Sequence, residues 1–413
     1  MNQAVAAPPL AAREVQAIGL VTAAHFLSHF YQLVLPPVLT VMAVRLDVGF
    51  TELGLAMTLF SISTGVAQTP IGFLVDRLGA AKILTAGLAV LGGAVACYGL
   101  APNIWVLCAL ACVGGAANAV FHPADFAILS DRVAEQRIGR AFSYHAVSGN
   151  LGWAAAPVAM LWLTTAHDVE TAFLTVGLAG VALAVVLALN IGRLEDRVRR
   201  PETPSSGKRS PAAAPGDGKG VRDGLDLLLS RPALMLFGFQ LIYAMGFGGV
   251  RNFSVAALPQ IWDISADVVA GALSGYLLAA SVGNLAGGWL ADATGNPGRV
   301  FTFSIIVLAA IVASLASVPM SAALLTAALL TAGGLQGSLL PARDMLVRQI
   351  APKGQMGKLF GFTSSGLALG NAATPVACGW ILDHADVRLI FWGSAALMLL
   401  ALFTYVETRR QAS

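Results

Sequence analysis

The sequence predicts an all-α polytopic membrane protein in which twelve transmembrane helices form two similar six-helix bundles. Its composition is the first observation: 57% of the 413 residues are hydrophobic and 11% are charged, whereas soluble proteins carry about 25% charged residues. The second is a series of apolar stretches long enough to cross a bilayer. The third is a loop sequence that occurs twice, at matching places in the two halves. Together they exclude a soluble protein.

Short polar breaks separate twelve apolar stretches of about 20 residues, the length at which a helix crosses the hydrocarbon layer. In chain order, spans 1 to 12 are predicted at 17–42, 53–75, 83–101, 104–129, 139–163, 171–192, 233–257, 267–290, 300–318, 321–346, 358–382 and 388–408. Breaks as short as Pro102-Asn103 fit tight turns between antiparallel neighbours. We therefore expect little mass outside the membrane.

The composition changes abruptly between spans 6 and 7, where Pro, Gly, Ser and charged residues replace apolar ones. A segment of this kind behaves as a flexible linker. The sequence thus divides into a tail at 1–16, an N-terminal bundle at 17–192, a linker at 193–232, a C-terminal bundle at 233–408 and a tail at 409–413.

Lysine and arginine are unevenly distributed over the segments that join the spans. With the N-terminus inside, 21 of the 25 fall on inner segments. The positive-inside rule then predicts that both termini are cytoplasmic, in a multi-pass protein of the plasma (inner) membrane. The net charge of +3 is a topology signal on this interpretation, and no nucleic-acid partner is expected.

An internal duplication relates the two halves. The loop at 72–82 recurs in degraded form at 288–299, and 139–159 matches 357–377 at nine of 21 positions. A duplication in a membrane protein is typical of two like bundles that rock about a site near the midplane. Transport is therefore the leading functional prediction.

The repeated loop closes span 2 with a carboxylate next to an arginine and two glycines that allow close approach and a tight turn. Its pattern is Gly-x-x-x-Asp-Arg-x-Gly-x-x-Lys, supplied by Gly72, Asp76, Arg77, Gly79 and Lys82. This pattern resembles the loop 2–3 motif of the major facilitator superfamily, and the resemblance extends over about the whole chain. It implies the major facilitator fold.

In that family, the Asp and Arg of the motif form a cytoplasmic latch with the ends of helices 4 and 11. The resemblance assigns this latch to Asp76, Arg77 and Asp131, with Arg140 at the start of span 5 in the same predicted gate. The second copy keeps Asp292 but lacks the arginine that should follow it, so its latch is incomplete.

A closer resemblance is to the fosmidomycin-resistance group of exporters. The segments that carry it are His25-Phe-Leu-Ser-His29-Phe-Tyr31-Gln32, Phe121-His122-Pro123 and Gly149-Asn150-Leu-Gly152. The sequence departs from proton-linked facilitators at Ala111, where a helix-4 arginine is common, and its helix-5 antiporter motif is degraded. The resemblance favours proton-coupled efflux of a small organic anion or antibiotic; the alternative is proton-linked uptake of a small carboxylate.

Ionisable residues inside spans are costly and are therefore functional candidates. The duplication places Asp125 of span 4 and Arg343 of span 10 at equivalent positions, and likewise Asn118 and Gln336. We expect a polar site or inner gate in which Asp125 and Arg343 attract each other. An ordinary ion pair at the membrane surface is the other interpretation.

Arg251, beside Asn252, lies deep in span 7 with no acid nearby in the sequence. A guanidinium at that depth needs a partner, and a substrate carboxylate or phosphonate would supply one. A permanent partner elsewhere in the bundle, or extension of the side chain to the outer surface, is the alternative.

His25 and His29 share one face of span 1 with Gln32, because residues four apart are neighbours on a helix. Histidine titrates near neutrality, so this face is a candidate for a coupling proton or a polar substrate, and His145 of span 5 is another. Structural hydrogen bonding is the alternative. A metal is not expected, since span 1 offers no carboxylate or cysteine beside the pair.

No nucleotide-binding loop, hydrolase motif or zinc-protease motif occurs. We therefore expect no enzymatic activity and no cofactor. The predicted partners are a small, anionic substrate, a proton and the lipid bilayer, and the predicted state is a monomer. A membrane sensor built on a transporter fold is a remote alternative.

Overall fold

The computed structural model describes residues 12–194, 229–294, 296–350 and 356–412, and most of the predicted N-terminal tail and of the predicted linker lies outside them. The described residues form helices and turns, with no strand among them. Twelve long segments follow in order: Ala12–Leu46, Phe50–Leu78, Ala80–Tyr98, Ile104–Arg132, Ile138–Ala166, Val169–Leu189, Arg231–Ile261, Ala266–Thr294, Pro297–Ser317, Ala322–Ile350, Met356–His384 and Leu389–Ala412. The predicted all-helical architecture is confirmed, and we keep the numbers of spans 1 to 12.

Eleven helical stretches among the described residues are long and apolar enough to cross a membrane. Span 11 falls outside this group although its helix has 29 residues. The physical reason is its content of Gly, Ser and Thr, which lowers its hydropathy. Small residues also let helices approach closely.

Polar side chains cap several helices at the membrane boundary. Asn103 accepts a hydrogen bond from the Val106 amide at 3.0 Å where span 4 begins, and Asn296 accepts one from the Arg299 amide at 3.2 Å where span 9 begins. Asp168 caps span 6 in the same way, and the amide of Thr171 lowers the pKa of its carboxyl. Such caps satisfy amides that have no partner within the helix.

Two spans are interrupted near their middle. In span 1 the first helix ends at Gln32, and a 3₁₀ turn at Pro36–Val38 leads into a second helix, Leu39–Leu46. In span 4 the helices Ile104–Asn118 and Phe121–Arg132 meet at a break. Proline lacks an amide hydrogen, so Pro36-Pro37 and Pro123 each remove a helical hydrogen bond near these breaks.

Each half packs mainly within itself, and the halves meet along span 2 against span 11 and span 5 against span 8. The span 2–span 11 contact depends on glycine. A Cβ atom on Gly54 would overlap the backbone of Pro375, and one on Gly379 would overlap the carbonyl oxygen of Phe50. The two helices therefore touch at the backbone.

Because the number of spans is even, both described ends of the chain lie at one end of the bundle, which we call the terminal end. The end that carries Phe50 and His384 is the opposite end. The halves are bonded together at the opposite end, where the amides of Phe50 and Thr51 donate to the carboxylate of Asp383.

Candidate functional site

A cavity of about 650 Å³ lies between the two halves. Six of the sequence-predicted site residues line it: Gln32, Asn118, Arg251, Asn252, Gln336 and Arg343. The other four predicted residues, His25, His29, Asp125 and His145, are not among the lining residues. The site therefore has two parts, the cavity and a cluster of titratable groups.

The charge of the cavity wall is one-sided. Among the described residues that line it, Arg251 and Arg343 carry charge and no Asp or Glu is present. His122 adds an imidazole, and the remaining polar lining is mostly amide and hydroxyl side chains. Two guanidinium groups in a partly enclosed cavity attract an anion more strongly than they would in water.

Arg251 is held in the cavity by neutral groups. Its Nη2 donates to Asn371 Oδ1 at 3.1 Å, and its Cζ lies 5.7 Å from the centroid of the Trp153 ring. Its Nε atom is buried and has no hydrogen-bond partner in the described part of the chain. The guanidinium has five N–H donors, so most of them have no acceptor among the described residues.

Arg343 does not pair with Asp125, contrary to the sequence-based expectation. Its Cζ lies 5.7 Å from the centroid of the Tyr243 ring, on the cavity wall. Asp125 is fully buried and faces histidines of its own half. The duplication predicts equivalent positions in the two halves, but side chains at equivalent positions need not point toward each other.

Asp125 is the centre of a buried cluster in the N-terminal half. Its Oδ2 atom lies 3.0 Å from both His25 Nδ1 and His145 Nε2, and its Oδ1 atom has no hydrogen-bond partner among the described residues. The rings of His25 and His145 stack with centroids 3.5 Å apart. Spans 1, 4 and 5 thus each contribute one group to a shared hydrogen-bonded network.

His122 completes the cluster on the cavity side. Ring nitrogens of His25, His122 and His145 lie within 4.8 Å of one another, a spacing that a metal ion could bridge. Two of these histidines already contact the Asp125 carboxylate at hydrogen-bond distance. We therefore interpret the cluster as a hydrogen-bonded network.

A chain of ring contacts joins the cluster to the cavity. The His29 ring lies 4.4 Å from the His25 ring and 4.2 Å from the Trp153 ring, centroid to centroid. Trp153 in turn faces Arg251, and its Nε1 donates to Gln32 Oε1 at 3.3 Å. The rings of His29 and Trp153 therefore lie between the cluster and the arginine in the cavity.

Asn118 lies at the break in span 4 and accepts a hydrogen bond from Ser28 Oγ at 2.9 Å. It is buried, as is Asn252. These amides give the cavity neutral hydrogen-bonding groups beside its two arginines.

The predicted gate residues lie at the terminal end. Five of them have exposed side chains: Asp76, Arg77, Lys82, Asp131 and Arg140. Asp76 makes no hydrogen bond to any described residue, so the latch implied by the resemblance is disengaged here.

The remaining predicted gate residues are two glycines of the first loop, Gly72 and Gly79, and Asp292 of the second copy. Gly79 has φ of 96°, a conformation that favours glycine, where span 2 turns into span 3. A Cβ on Gly72 would meet nothing within 4 Å. The side chain of Asp292, in the second copy, lies outside the described residues.

Sequence reasoning missed the two side chains that hold Arg251, Trp153 and Asn371. A signal was present: they occupy equivalent positions of spans 5 and 11, at the offset of 218 residues that relates 139–159 to 357–377. Mapping the whole duplication onto polar residues would have identified both.

The two helical halves enclose a polar cavity. They are hydrogen-bonded together at the opposite end, and the latch at the terminal end is disengaged. This arrangement is that of a secondary transporter of small molecules. The chain belongs to the Major Facilitator Superfamily, whose sequence pattern it matches over residues 21–260 and 236–413. It is a multi-pass membrane transporter and not an enzyme, in agreement with its relatives.

Three similar proteins illustrate the relationship. An uncharacterised MFS-type transporter of Mycobacterium tuberculosis is 26% identical over 369 residues, which cover 84% of this chain and 81% of the relative. A multidrug resistance protein B homologue of the same species is 28% identical over 147 residues, 34% of this chain and 27% of the relative. The crystal structure of a bacterial homologue of the human lysosomal transporter Spinster, inward-facing and unoccupied, superimposes with a TM-score of 0.81 at 13% identity, covering 97% of this chain and 98% of that one.

Proposed function

We propose that this transporter exports a small organic anion, including anionic antibiotics, in exchange for protons by alternating access. The observation that carries the proposal is a cavity whose described lining holds two arginines and no acid. Aromatic rings connect it to a buried carboxylate and its histidines. The protein acts as a monomer in the plasma (inner) membrane. Its functional units are the bundles at 17–192 and 233–408, joined by the linker at 193–232.

The terminal end is cytoplasmic in this proposal, because the segments at that end carry most of the lysine and arginine. The cavity then faces the cytoplasm, since the halves are bonded together at the opposite end and the gate residues at the terminal end are exposed. This is the conformation in which an exporter binds its substrate.

Arg251 supports an anionic substrate. A buried guanidinium requires hydrogen-bond acceptors, and its protein contacts supply one amide oxygen and one aromatic face. A carboxylate or phosphonate oxygen pair matches the geometry of the remaining donors.

Asp125 supports a coupled proton. Its buried carboxylate contacts two imidazoles, and two more imidazoles, from His29 and His122, lie close by. Such a group can bind and release a proton while it stays in the protein interior. Protonation changes the charge of the cluster, and the rings of His29 and Trp153 lie between that charge and Arg251.

The direction of transport rests on resemblance to the fosmidomycin-resistance exporters and on the multidrug resistance relative. The same cavity and cluster would serve proton-linked uptake of a small carboxylate. A direct measurement of direction separates the two.

The experiment uses the full chain reconstituted in proteoliposomes. Purified protein is first screened by thermal shift against small carboxylates, phosphonates and anionic antibiotics, each paired with its neutral ester. We expect stabilisation by the acid and not by the ester. When an inward proton gradient is imposed, the selected anion should move in the direction opposite to the protons. It should exchange by counterflow when the gradient is absent. Stabilisation by esters alone would overturn the anionic substrate, and flux independent of the gradient would overturn proton coupling.

A further inference from the structure

A carboxylate of one half caps a helix of the other half at the opposite end. Asp383, in the last turn of span 11, accepts hydrogen bonds from the backbone amides of Phe50 at 2.8 Å and Thr51 at 2.7 Å, and from the Thr51 hydroxyl at 2.6 Å. These residues are separated by more than 330 positions, so the bonds join the two bundles directly.

The chemistry of this contact is favourable for a reversible closure. The first amides of a helix have no partner within the helix, and the helix dipole makes that end attractive to a negative charge. Span 2 begins at Phe50, and the residue before it, Gly49, gives no side-chain cap. Asp383 therefore supplies the cap from the other half, and that cap is lost whenever the halves separate at this end.

The sequence around Asp383 repeats the pattern at the other end of span 2. Gly379-Trp380-Ile381-Leu382-Asp383 and Gly72-Phe73-Leu74-Val75-Asp76 share a glycine, an aromatic residue, two aliphatic residues and an aspartate. Each pattern ends a span. Spans 2 and 11 cross the bundle in opposite directions, so the two aspartates lie at opposite ends.

The two glycines are used differently in this conformation. A Cβ on Gly379 would overlap the Phe50 carbonyl oxygen, whereas a Cβ on Gly72 would meet nothing within 4 Å. Asp383 is bonded, whereas Asp76 is exposed and makes no hydrogen bond to a described residue. In this conformation the pattern that ends in Asp383 is hydrogen-bonded to the other half, and the carboxylate that ends the other pattern makes no such bond to the described residues.

We propose that Asp383 is the residue that holds the opposite end closed, as the counterpart of Asp76 at the terminal end. Each aspartate lies at the end of one of the two helices. Asp383 caps the start of span 2 in this conformation, and Asp76 caps the start of span 11 when the terminal end closes. The two contacts alternate, because rocking the halves closes one end as it opens the other. The proposal rests on alternating access in the proposed function, but not on the substrate or the proton.

The experiment measures distances between the halves without substrate. In a background with the four native cysteines replaced, spin labels are attached after Thr165→Cys and Ser265→Cys, which are exposed at the opposite end of spans 5 and 8. Pulsed electron resonance gives the populations of short and long distances in the full chain. A second pair, Ser143→Cys and Thr294→Cys, reports the terminal end.

Asp383→Asn should raise the ratio of open to closed populations at the opposite end by about 10- to 100-fold, the range expected for the loss of one charge-assisted hydrogen bond. Asp76→Asn should shift the ratio in the other direction, and the double variant should return toward the wild type. Asp386→Asn is the matched control, since that carboxylate is at the same end but bonds to Arg388 of its own half.

Thr51→Val removes the hydroxyl bond and keeps both amide bonds, so it should give a smaller shift than Asp383→Asn. The proposal is overturned if Asp383→Asn and Asp386→Asn give the same distance distribution. It is also overturned if Asp383→Asn shifts both label pairs in the same direction. Static distances in every variant, including the wild type with bound anion, would instead refute alternating access itself.

Discussion

Replacement of Arg251 is the sharpest test of the cavity. In Arg251→Ala the cavity loses one of its two charges together with the contacts to Asn371 and Trp153. Arg251→Lys keeps a positive charge but loses the planar pair of donors that matches a carboxylate. The two variants therefore separate charge from geometry.

The expected magnitudes come from the donors available in the structure. Asn371 occupies one donor of Arg251, and no other described residue accepts a hydrogen bond from its guanidinium, so donors remain for a bidentate contact with an anion. Hydrogen bonds to charged groups contribute about 1.5–3 kcal/mol each. Two of them amount to about 3–6 kcal/mol, so Arg251→Ala should weaken apparent affinity by about two to four orders of magnitude. Arg251→Lys should lose about one bond, or about 10- to 100-fold.

The assay is equilibrium binding of the anion selected by thermal shift, followed by counterflow in proteoliposomes. Arg388→Ala is the matched control. That arginine also faces an aromatic ring, with its Cζ 5.8 Å from the Trp262 centroid, and donates from Nε to the Ala316 carbonyl oxygen, but it does not line the cavity. Its replacement should leave affinity within a factor of about two.

Unchanged affinity in Arg251→Ala would refute the role of this arginine in anion binding. Equal losses in Arg251→Ala and Arg388→Ala would show that the effect is a general loss of structure. Full affinity in Arg251→Lys would show that charge alone matters and that bidentate geometry does not.

Three further outcomes are expected. Asp125→Asn should abolish transport driven by a proton gradient and leave counterflow in place, because it removes the carboxylate at the centre of the cluster; loss of both activities would indicate a structural role. Exchanging the charges of Asp125 and Arg343 should not rescue the single variants, since the two side chains have different neighbours, and a double-mutant cycle with strong recovery would contradict this. Glu14→Gln should lower the unfolding temperature measured in detergent and the free energy of unfolding by about 1–3 kcal/mol, because it weakens a partly buried ion pair with Arg137 at 2.7 Å. Glu135→Gln, at an exposed residue, is the control, and equal melting temperatures of the two variants would contradict the assignment.

Much of the fold can be predicted from local sequence patterns. Twelve spans could be counted because an apolar stretch of about 20 residues has one stable solution in a bilayer, a helix that satisfies its own backbone. The duplicated loop indicated two similar halves, and the pattern around Asp76 and Gly79 indicated the family. The candidate cavity was predicted in part, since Arg251 and Asn252 stand out as polar residues in an apolar span and both line it.

The partners of these residues required the tertiary structure. Asp125 contacts His25, 100 positions away, and Asp383 caps Phe50, 333 positions away, contacts that depend on how helices rotate and pack against one another. Hydropathy determines that a helix crosses the membrane, but it leaves the rotation of the helix about its axis open. The sequence by itself therefore determined the architecture and the ionisable residues inside it, whereas packing decided that Asp125 faces histidines and not Arg343, because side-chain direction is set by neighbouring helices.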